Sequence, residues 1–480
     1  MSSAAERYEI AAKEAISTFV NCNLIAPSVQ EGERKPIDLV VVLDRSGSMA
    51  GPKLALCKKT MDFLAQQLTP NDRVGLVSYD THVRTDLSLT NMTDDGKQQL
   101  SQSVKAISAG SMTNLSGGLL AGLDAVQQPQ CMDNGEPNTV KSVLLLTDGQ
   151  ANEGVTKAHD LVHLVKCMLD SQVSIHTFGY GSDHDAALLG QIADIGRGSY
   201  YFVQNVDGIA LAFANCLGGL LSVVAQNIKL ECIASPGVLI QSVKTKRSVT
   251  TVTNLAHYEV DMGDMFADES RDLLLEIQLT PQHPQIIMEL VEFRLRYANI
   301  VTSSMDKASS TATVNRPVVV TNNELNEHVV VQKQRVLAAE AIETAQAHAS
   351  RGNFAEGRNV LTSIKSRLET DMENMPSTTS TVSTLISGLS ECTTSIASET
   401  EYRSHGHGRM QQRMQQAWTQ RNNDTQVDRE SLDKLVDAIR SAPPRDPNSA
   451  HPEPAPVQSR VGNAIQARMM QRAFNLSSKS

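Results

Sequence analysis

The amino-acid sequence predicts an α/β domain with a doubly wound, mostly parallel sheet, an adjoining antiparallel β-sandwich and a helical, partly disordered C-terminal region. Three observations predict this architecture. Apolar β-branched runs alternate with amphipathic stretches over residues 37–218, the apolar period falls to two over residues 219–321, and helical patterns follow. The length of 480 residues exceeds the ~100–200 residues of a typical domain, so we expect several folding units.

Residues 37–218 contain four runs that predict strands: Asp38–Leu43, Arg73–Tyr79, Lys141–Thr147 and Gln172–Phe178. The near-continuous apolar runs among them are typical of parallel strands that are buried on both faces. Helices are predicted between them. The first opens at Gly51-Pro52, since proline suits the first turn of a helix. Its apolar residues recur every three or four positions and predict one buried face: Leu54, Cys57, Met61, Leu64 and Leu68.

The region of residues 219–321 alternates apolar and polar residues, as half-buried antiparallel strands do. A similar alternation, Val20, Cys22 and Leu24 against two asparagines, occurs within residues 1–36, ahead of the α/β domain. Because both segments have the same period, we expect residues 17–26 to add a strand to the β-sandwich. The α/β domain would then be inserted between strands of that sandwich.

The C-terminal part of the sequence divides into two regions. Residues 322–404 carry helical patterns, beginning with a helical hairpin around Gly352-Asn353. Residues 405–480 are rich in Gln, Arg and Pro, and this composition predicts a disordered tail.

Charge and cysteine content exclude several classes of protein. The formal net charge of -10 gives no general attraction to nucleic acid or to anionic lipid. The seven cysteines are scattered without a C-x-x-C pair, so neither a disulfide framework nor a zinc site is expected. No run approaches the ~18 apolar residues of a membrane span. We therefore expect a cytoplasmic protein.

The loop after the first strand carries the strongest functional signal. It reads D-R-S-G-S and offers the side chains of Asp44, Ser46 and Ser48 at the carboxyl end of that strand. Ligands bind at this end of open α/β sheets, and alternate residues of such a loop point their oxygens toward one place. The alternative is a purely structural role, in which Asp44 and Ser46 only cap the following helix.

Two further oxygen donors make the metal interpretation the stronger one. Thr113 lies in G-S-M-T-N-L-S-G-G, and Asp148 directly follows the apolar run that ends at Thr147. A set of hydroxyls and carboxylates without His or Cys selects a hard cation. We therefore expect Mg²⁺, with Mn²⁺ and Ca²⁺ as alternatives.

Together these three segments resemble the metal-ion-dependent adhesion site of the von Willebrand factor A family, over roughly residues 38–217. The resemblance implies that Ser46 and Ser48 bind the metal directly and that Thr113 binds it directly or through water. It also implies that Asp44 and Asp148 act largely through water. Gly110-Ser111-Met112 departs from the usual glycine-rich approach to the threonine, whereas Gly179-Tyr180-Gly181 fits the family.

The chain is most similar to intracellular members of that family, including plant ubiquitin ligases in which a β domain and a helical tail follow the metal domain. Those ligases carry a zinc-binding RING, and the sequence here has no cysteine-histidine array. It also lacks a G-x-S-x-G nucleophile elbow placed between a strand and a helix, and it has no P-loop. We therefore expect no enzyme activity.

Two functions remain open from the sequence. The first is a metal-dependent scaffold whose partner protein supplies an acidic side chain to the ion. The second is a non-catalytic subunit or adaptor of an enzyme complex, such as a ubiquitin ligase or an ATPase-driven chelatase.

Overall fold

A computed structural model describes residues 1–29, 34–128, 138–182, 184–204, 208–375, 378–421, 423 and 463–477. The chain divides into two compact units. The first, here called the β-rich unit, comprises Met1–Pro27, Ala225–Tyr402 and Arg413–Gln420. The second, the α/β unit, comprises Ser28–Val224, Arg403–Gln412 and Arg421–Ser480.

The strands are β1 (Ser2–Ala5), β2 (Ile16–Ile25), β3 (Ile37–Asp44), β4 (Arg73–Tyr79), β5 (Val83–Asn91), β6 (Val140–Thr147), β7 (Val173–Tyr180), β8 (Arg197–Val203), β9 (Val223–Ala234), β10 (Val238–Lys244), β11 (Val249–Thr253), β12 (His257–Phe266), β13 (Ser270–Leu279), β14 (Gln285–Asn299) and β15 (Ser304–Arg316). The helices are α1 (Pro52–Gln67), α2 (Asp94–Ala106), α3 (Leu115–Gln127), α4 (Ala158–Met168), α5 (Ala186–Ile195), α6 (Gly208–Leu220), α7 (Glu327–Ser350), α8 (Phe354–Asn374), α9 (Thr379–Ser395), α10 (Glu399–Glu401), α11 (His407–Thr419) and α12 (Ala464–Ser477).

The α/β unit is built on a six-stranded sheet of order β5-β4-β3-β6-β7-β8. All neighbouring pairs are parallel except β4 and β5, which are antiparallel. The four apolar runs noted in the sequence are β3, β4, β6 and β7, and every residue of β3, β4 and β7 is buried. This confirms the predicted doubly wound, mostly parallel fold.

Helices cover both faces of this sheet. Val40 and Val42 of β3 share a core with apolar residues of α3, α4 and α5. The alternate residues Leu39, Val41 and Leu43 are equally buried and point to the other face. On the strands outside the core of α3, α4 and α5, α2 contacts β4 and β5, α6 contacts β8, and α1 packs against both helices. The loops after β3 and β6 therefore lead to helices on opposite faces. This leaves a crevice between the carboxyl ends of these two strands, where open α/β sheets bind ligands.

The β-rich unit contains two antiparallel sheets, of orders β1-β2-β13-β10 and β11-β12-β9-β14-β15. Strand β2 pairs with β13 along its whole length, from Ile16 opposite Leu279 to Ile25 opposite Ser270. The segment that precedes the α/β unit in sequence thus belongs to the sheet formed by later strands. Register is set by burial, because the alternating apolar side chains of both strands are withdrawn from solvent.

Asp272 of β13 lies at the centre of a polar network in the β-rich unit. Its Oδ1 accepts hydrogen bonds from Asn21 Nδ2 (2.6 Å) and His328 Nε2 (2.7 Å), and its backbone N–H donates to Gln420 Oε1 (2.9 Å). Burial acts to raise the pKa of Asp272, but the hydrogen bond and charge of His328, the Asn21 hydrogen bond and the charge of Arg335 together lower that pKa below 3.8. The same hydrogen bond raises the pKa of His328 above 6.5.

Part of residues 405–480 differs from the expectation of a disordered tail. The structure places helices α11 and α12 there, and their apolar side chains Met410 and Met470 are fully buried. Helix α12 packs on α6, where Gln466 Nε2 donates to Asn215 Oδ1 at 2.8 Å. The Gln-rich composition predicted disorder, but the Gln466 amide forms its hydrogen bond within the contact between α12 and α6. The proline-rich run between the two helices lies outside the described residues.

Within the described residues, the longest helices are too polar or too short to cross a membrane.

Candidate metal centre

The D-R-S-G-S loop is fixed by its neighbours on two sides. Asp44 is the last residue of β3, and the next backbone N–H, that of Arg45, donates to the Tyr79 carbonyl at the end of β4 (2.8 Å). The Gly47 N–H donates to the Ser111 carbonyl (2.9 Å) in the segment before α3. The loop is therefore held between the carboxyl end of β4 and the segment that precedes α3.

Asp80 joins the same two segments and was not singled out from the sequence. Its Oδ1 accepts from the Arg45 guanidinium (2.8 Å), and its carbonyl accepts from the Asn114 N–H (2.9 Å). Gly110 packs directly on it, since a Cβ at this glycine would lie 1.8 Å from Asp80 Oδ2. Gly110, the first residue of the G-S-M segment before Thr113, is thus the glycine that packing against Asp80 requires.

Asp44 is fully buried and each of its oxygens has a donor. Oδ1 accepts from the Ser46 N–H at 2.8 Å, and Oδ2 accepts from the Thr147 hydroxyl at 2.6 Å. Burial raises the pKa of Asp44, these hydrogen bonds lower it, and the nearby charge of Asp148 adds to the rise. Sequence reasoning missed Thr147, although its place at the end of a strand beside Asp148 was a usable signal.

Asp148 is also fully buried and is shared by two side chains. The hydroxyls of Ser46 and Ser48 lie 3.2 Å apart, and Ser48 donates to Asp148 Oδ1 at 2.7 Å. The ammonium group of Lys53 forms an ion pair with Asp148 Oδ2. Lys53 too was missed, because a lysine in the first turn of a helix has no motif to mark it.

Thr113 reaches the site from the loop before α3. Its backbone N–H donates to Asn152 Oδ1 at 2.7 Å, and its carbonyl accepts from the Asn152 N–H at 3.2 Å. A Cβ at Gly149 would lie 3.5 Å from Thr113 Oγ1 and 3.6 Å from Ser48 Oγ. The two hydroxyls therefore border one small space that a side chain at position 149 would fill.

The structure brings together all the predicted site residues: Asp44, Ser46, Ser48, Thr113 and Asp148. They offer three neutral hydroxyls and two carboxylates, the donor set of a hard cation such as Mg²⁺. In the part of the chain that is described, no cluster of three or more His, Cys, Asp or Glu suits a metal. Ser48 is exposed, so the site is open to solvent.

Comparisons with known proteins identify the domain that carries this site. Residues 38–214 match the family model of the von Willebrand factor type A domain. YfbK of Escherichia coli is 26% identical over 300 residues, which are 61% of this chain and 50% of that protein. The E3 ubiquitin-protein ligase WAV3 of Arabidopsis thaliana is 31% identical over 264 residues, 54% of this chain and 33% of that protein. The chain thus spans half or less of the length of these relatives.

Two solved structures share the fold. A von Willebrand factor type A protein from Catenulispora acidiphila superposes with a TM-score of 0.60 at 15% identity, covering 75% of this chain and 86% of the other. The ArnB paralog VWA2 from Sulfolobus acidocaldarius gives a TM-score of 0.57 at 15% identity, covering 86% and 97%. Domains of this type are protein-interaction modules that often depend on a metal ion. Residues 38–214 of this chain therefore form a von Willebrand factor type A domain.

Proposed function

We propose that the α/β unit binds one divalent cation, preferably Mg²⁺, and uses it to bind a partner protein. Ser46, Ser48 and Thr113 would supply hydroxyl ligands, and Asp44 and Asp148 would orient them and support the ion through water. The observation that carries this proposal is the hydrogen-bond network that links Asp44, Ser46, Ser48 and Asp148 at the crevice between β3 and β6. The Thr113 hydroxyl borders the same space beside Gly149. Capping of a helix alone does not explain it, because Ser46 makes no side-chain bond to the helix that follows.

The partner would contribute an acidic side chain. Neutral hydroxyls leave the charge of a divalent ion incompletely balanced in its nearest shell, and a carboxylate is the natural complement. The net charge of -10 repels an acidic partner at long range. That field is screened over ~8 Å at physiological ionic strength, whereas ligation acts at ~2 Å, so the local attraction dominates.

The proposed role is binding without catalysis by this chain. A second candidate role is a non-catalytic adaptor of a ubiquitin ligase, and a specific observation favours it: WAV3 and WAVH1 of Arabidopsis thaliana, both named E3 ubiquitin-protein ligases, match 54% and 70% of this chain. An adaptor would co-purify with one stoichiometric enzyme. A scaffold would instead bring down several unrelated proteins.

We place this activity in a reducing compartment such as the cytoplasm. The support is that the described cysteines are all free thiols, and five of the six are buried. Burial raises the pKa of Cys57 to about 12, so this thiol stays protonated and inert at neutral pH.

Affinity purification with the full chain tests the proposal. Partners should be retained with Mg²⁺, and they should be lost with EDTA or after Thr113→Ala. Thr90→Ala is the matched control, because Thr90 pairs with Val74 at the start of β4, the opposite edge of the sheet. A partner that binds equally well with Mg²⁺, with EDTA and to the Thr113 variant would show that the metal does not mediate recognition.

A further inference from the structure

Lys53 brings a positive charge to the same carboxylate that supports the candidate metal ligands. Its ammonium group pairs with Oδ2 of Asp148, while Oδ1 of the same carboxylate accepts the Ser48 hydroxyl. Asp148 is fully withdrawn from solvent, and the Lys53 side chain is 32% exposed. The ion pair is therefore screened less than one at the surface.

The position of Lys53 in the chain is electrostatically unfavourable by itself. It lies in the first turn of the 16-residue helix α1, directly after Pro52. The amino end of a helix carries a partial positive charge and prefers acidic residues, as α2 shows with Asp94 and Asp95 in its first turn. Helix α1 has no acidic residue there. The stabilising partner of Lys53 is thus the metal-site carboxylate and not its own helix.

The ammonium group also lies beside the loop that follows β7. A Cβ at Gly181, whose φ is +70°, would be 3.8 Å from Lys53 Nζ. Lys53 therefore reaches across from α1 to the ends of both β6 and β7. Ordering the Lys53 side chain in this position costs conformational entropy, so its ion pair with Asp148 has to offset that cost.

From this arrangement we infer that Lys53 is a built-in counter-cation that weakens the metal site and thereby sets its affinity. The inference rests on the proposed function and extends it to a residue outside the ligand set. Asp44 and Asp148 contribute two negative charges, and Lys53 cancels one of them. The site thus holds a divalent ion less tightly than its carboxylates alone would, and the loaded site keeps a net positive charge that attracts an acidic side chain of a partner.

The sign of the effect separates this role from a structural one. If Lys53 only held Asp148 in place, its loss would disorder the carboxylate and weaken metal binding. If it opposes the metal electrostatically, its loss strengthens binding. Lys53→Met is therefore expected to bind Mg²⁺ about tenfold more tightly than wild type, whereas Lys53→Arg keeps the charge and should stay within about twofold.

The experiment is calorimetric titration of the full chain with Mg²⁺. Lys58→Met is the matched control on the same helix, because Lys58 donates to the carbonyls of Lys105 and Ile107 and not to the site. Its Mg²⁺ affinity should equal that of wild type. Should Lys53→Met not fold, Lys53→Gln and the rise in melting temperature with added Mg²⁺ give the same comparison.

The possible outcomes separate the two proposals. Tighter binding by Lys53→Met, with Lys53→Arg and Lys58→Met unchanged, supports the inference. Equal or weaker binding by Lys53→Met, while wild type binds Mg²⁺, overturns the inference and leaves the proposed function standing. If neither wild type nor Lys53→Met binds Mg²⁺, both the proposed function and the inference are overturned. Binding by Lys53→Met alone would overturn metal binding by the natural chain and assign its loss to Lys53.

Discussion

Replacing Thr147 by valine removes the hydroxyl that holds the Asp44 carboxylate. Valine keeps the shape of threonine, so the change is confined to hydrogen bonding. The Thr147 hydroxyl donates to Asp44 Oδ2 at 2.6 Å and accepts the Gly149 N–H at 3.2 Å. Both Thr147 and Asp44 are fully buried, so water cannot replace the lost donor without a rearrangement.

The magnitude follows from the kind of bond. A hydrogen bond to a charged group contributes about 1.5–3 kcal/mol, and an unsatisfied buried group adds to its loss. Burial already raises the pKa of Asp44, so the carboxyl can relieve part of the cost by taking up a proton. We therefore expect the free energy of unfolding of the α/β unit to fall by about 2–3 kcal/mol, a decrease in Tm of about 5–10 °C.

Scanning calorimetry of the full chain in EDTA measures this effect, and the transition that shifts on adding Mg²⁺ identifies the α/β unit. Thr60→Val is the matched control, because the Thr60 hydroxyl is buried without a hydrogen-bond partner among the described residues. Its replacement should leave Tm unchanged or slightly higher. If Thr147→Val lowers Tm no more than Thr60→Val does, the described hydrogen bond does not stabilise the site and the reasoning fails.

Three further changes test the fold. His328→Gln should lower the Tm of the β-rich unit by about 2–4 °C at pH 5, the contribution expected of a partly exposed ion pair. The difference should vanish by pH 9, because a raised histidine pKa adds stability below pH 6.5 that is lost as the pH rises through the folded value. A difference in Tm that stays constant with pH would contradict this. Gly118→Ala should prevent stable folding, since the new Cβ would lie 2.3 Å from the buried Tyr79 ring. The control Gly388→Ala meets no atom within 4 Å and should leave Tm unchanged or higher. Similar Tm values for the two variants would contradict this reasoning. Met470→Asp should release α12 and speed its limited proteolysis, because it places a charge in a buried helix contact, and an unchanged cleavage pattern would argue against that contact.

The central sheet could be predicted because burial on both faces leaves a direct trace in sequence. The runs of β3, β4, β6 and β7 are rich in apolar and β-branched residues and were identified from that alone. Strand β5, Val83–Asn91, was missed because it lies at the sheet edge and is largely polar. Strand β8, Arg197–Val203, was missed although Gly196 ends α5 directly before it, because Arg197, Gly198 and Ser199 make the first half of the strand polar or small.

Three ligand candidates, Asp44, Ser46 and Ser48, could be predicted because the D-x-S-x-S motif places them in one loop. Thr113 and Asp148 could be predicted because their local sequences resemble those of the metal-ion-dependent adhesion site. The groups that hold them could not, because Thr147, Lys53 and Asp80 act through contacts between segments far apart in sequence. Helix α12 was missed for a related reason. Its apolar residues lie in a region otherwise rich in Gln, Arg and Pro, and they pack on α6, which also accepts a hydrogen bond from the Gln466 amide.

Titration of the metal-free full chain with Mg²⁺ tests the central claim most directly. Wild type should bind one ion, and the double variant Asp44→Ala with Asp148→Ala should show no binding at that site. The double variant Asp94→Ala with Asp95→Ala makes the same change in net charge at exposed positions of α2 and should bind as wild type does. The same isotherm for wild type and for the Asp44 and Asp148 variant would show that the ion, if bound, is held elsewhere.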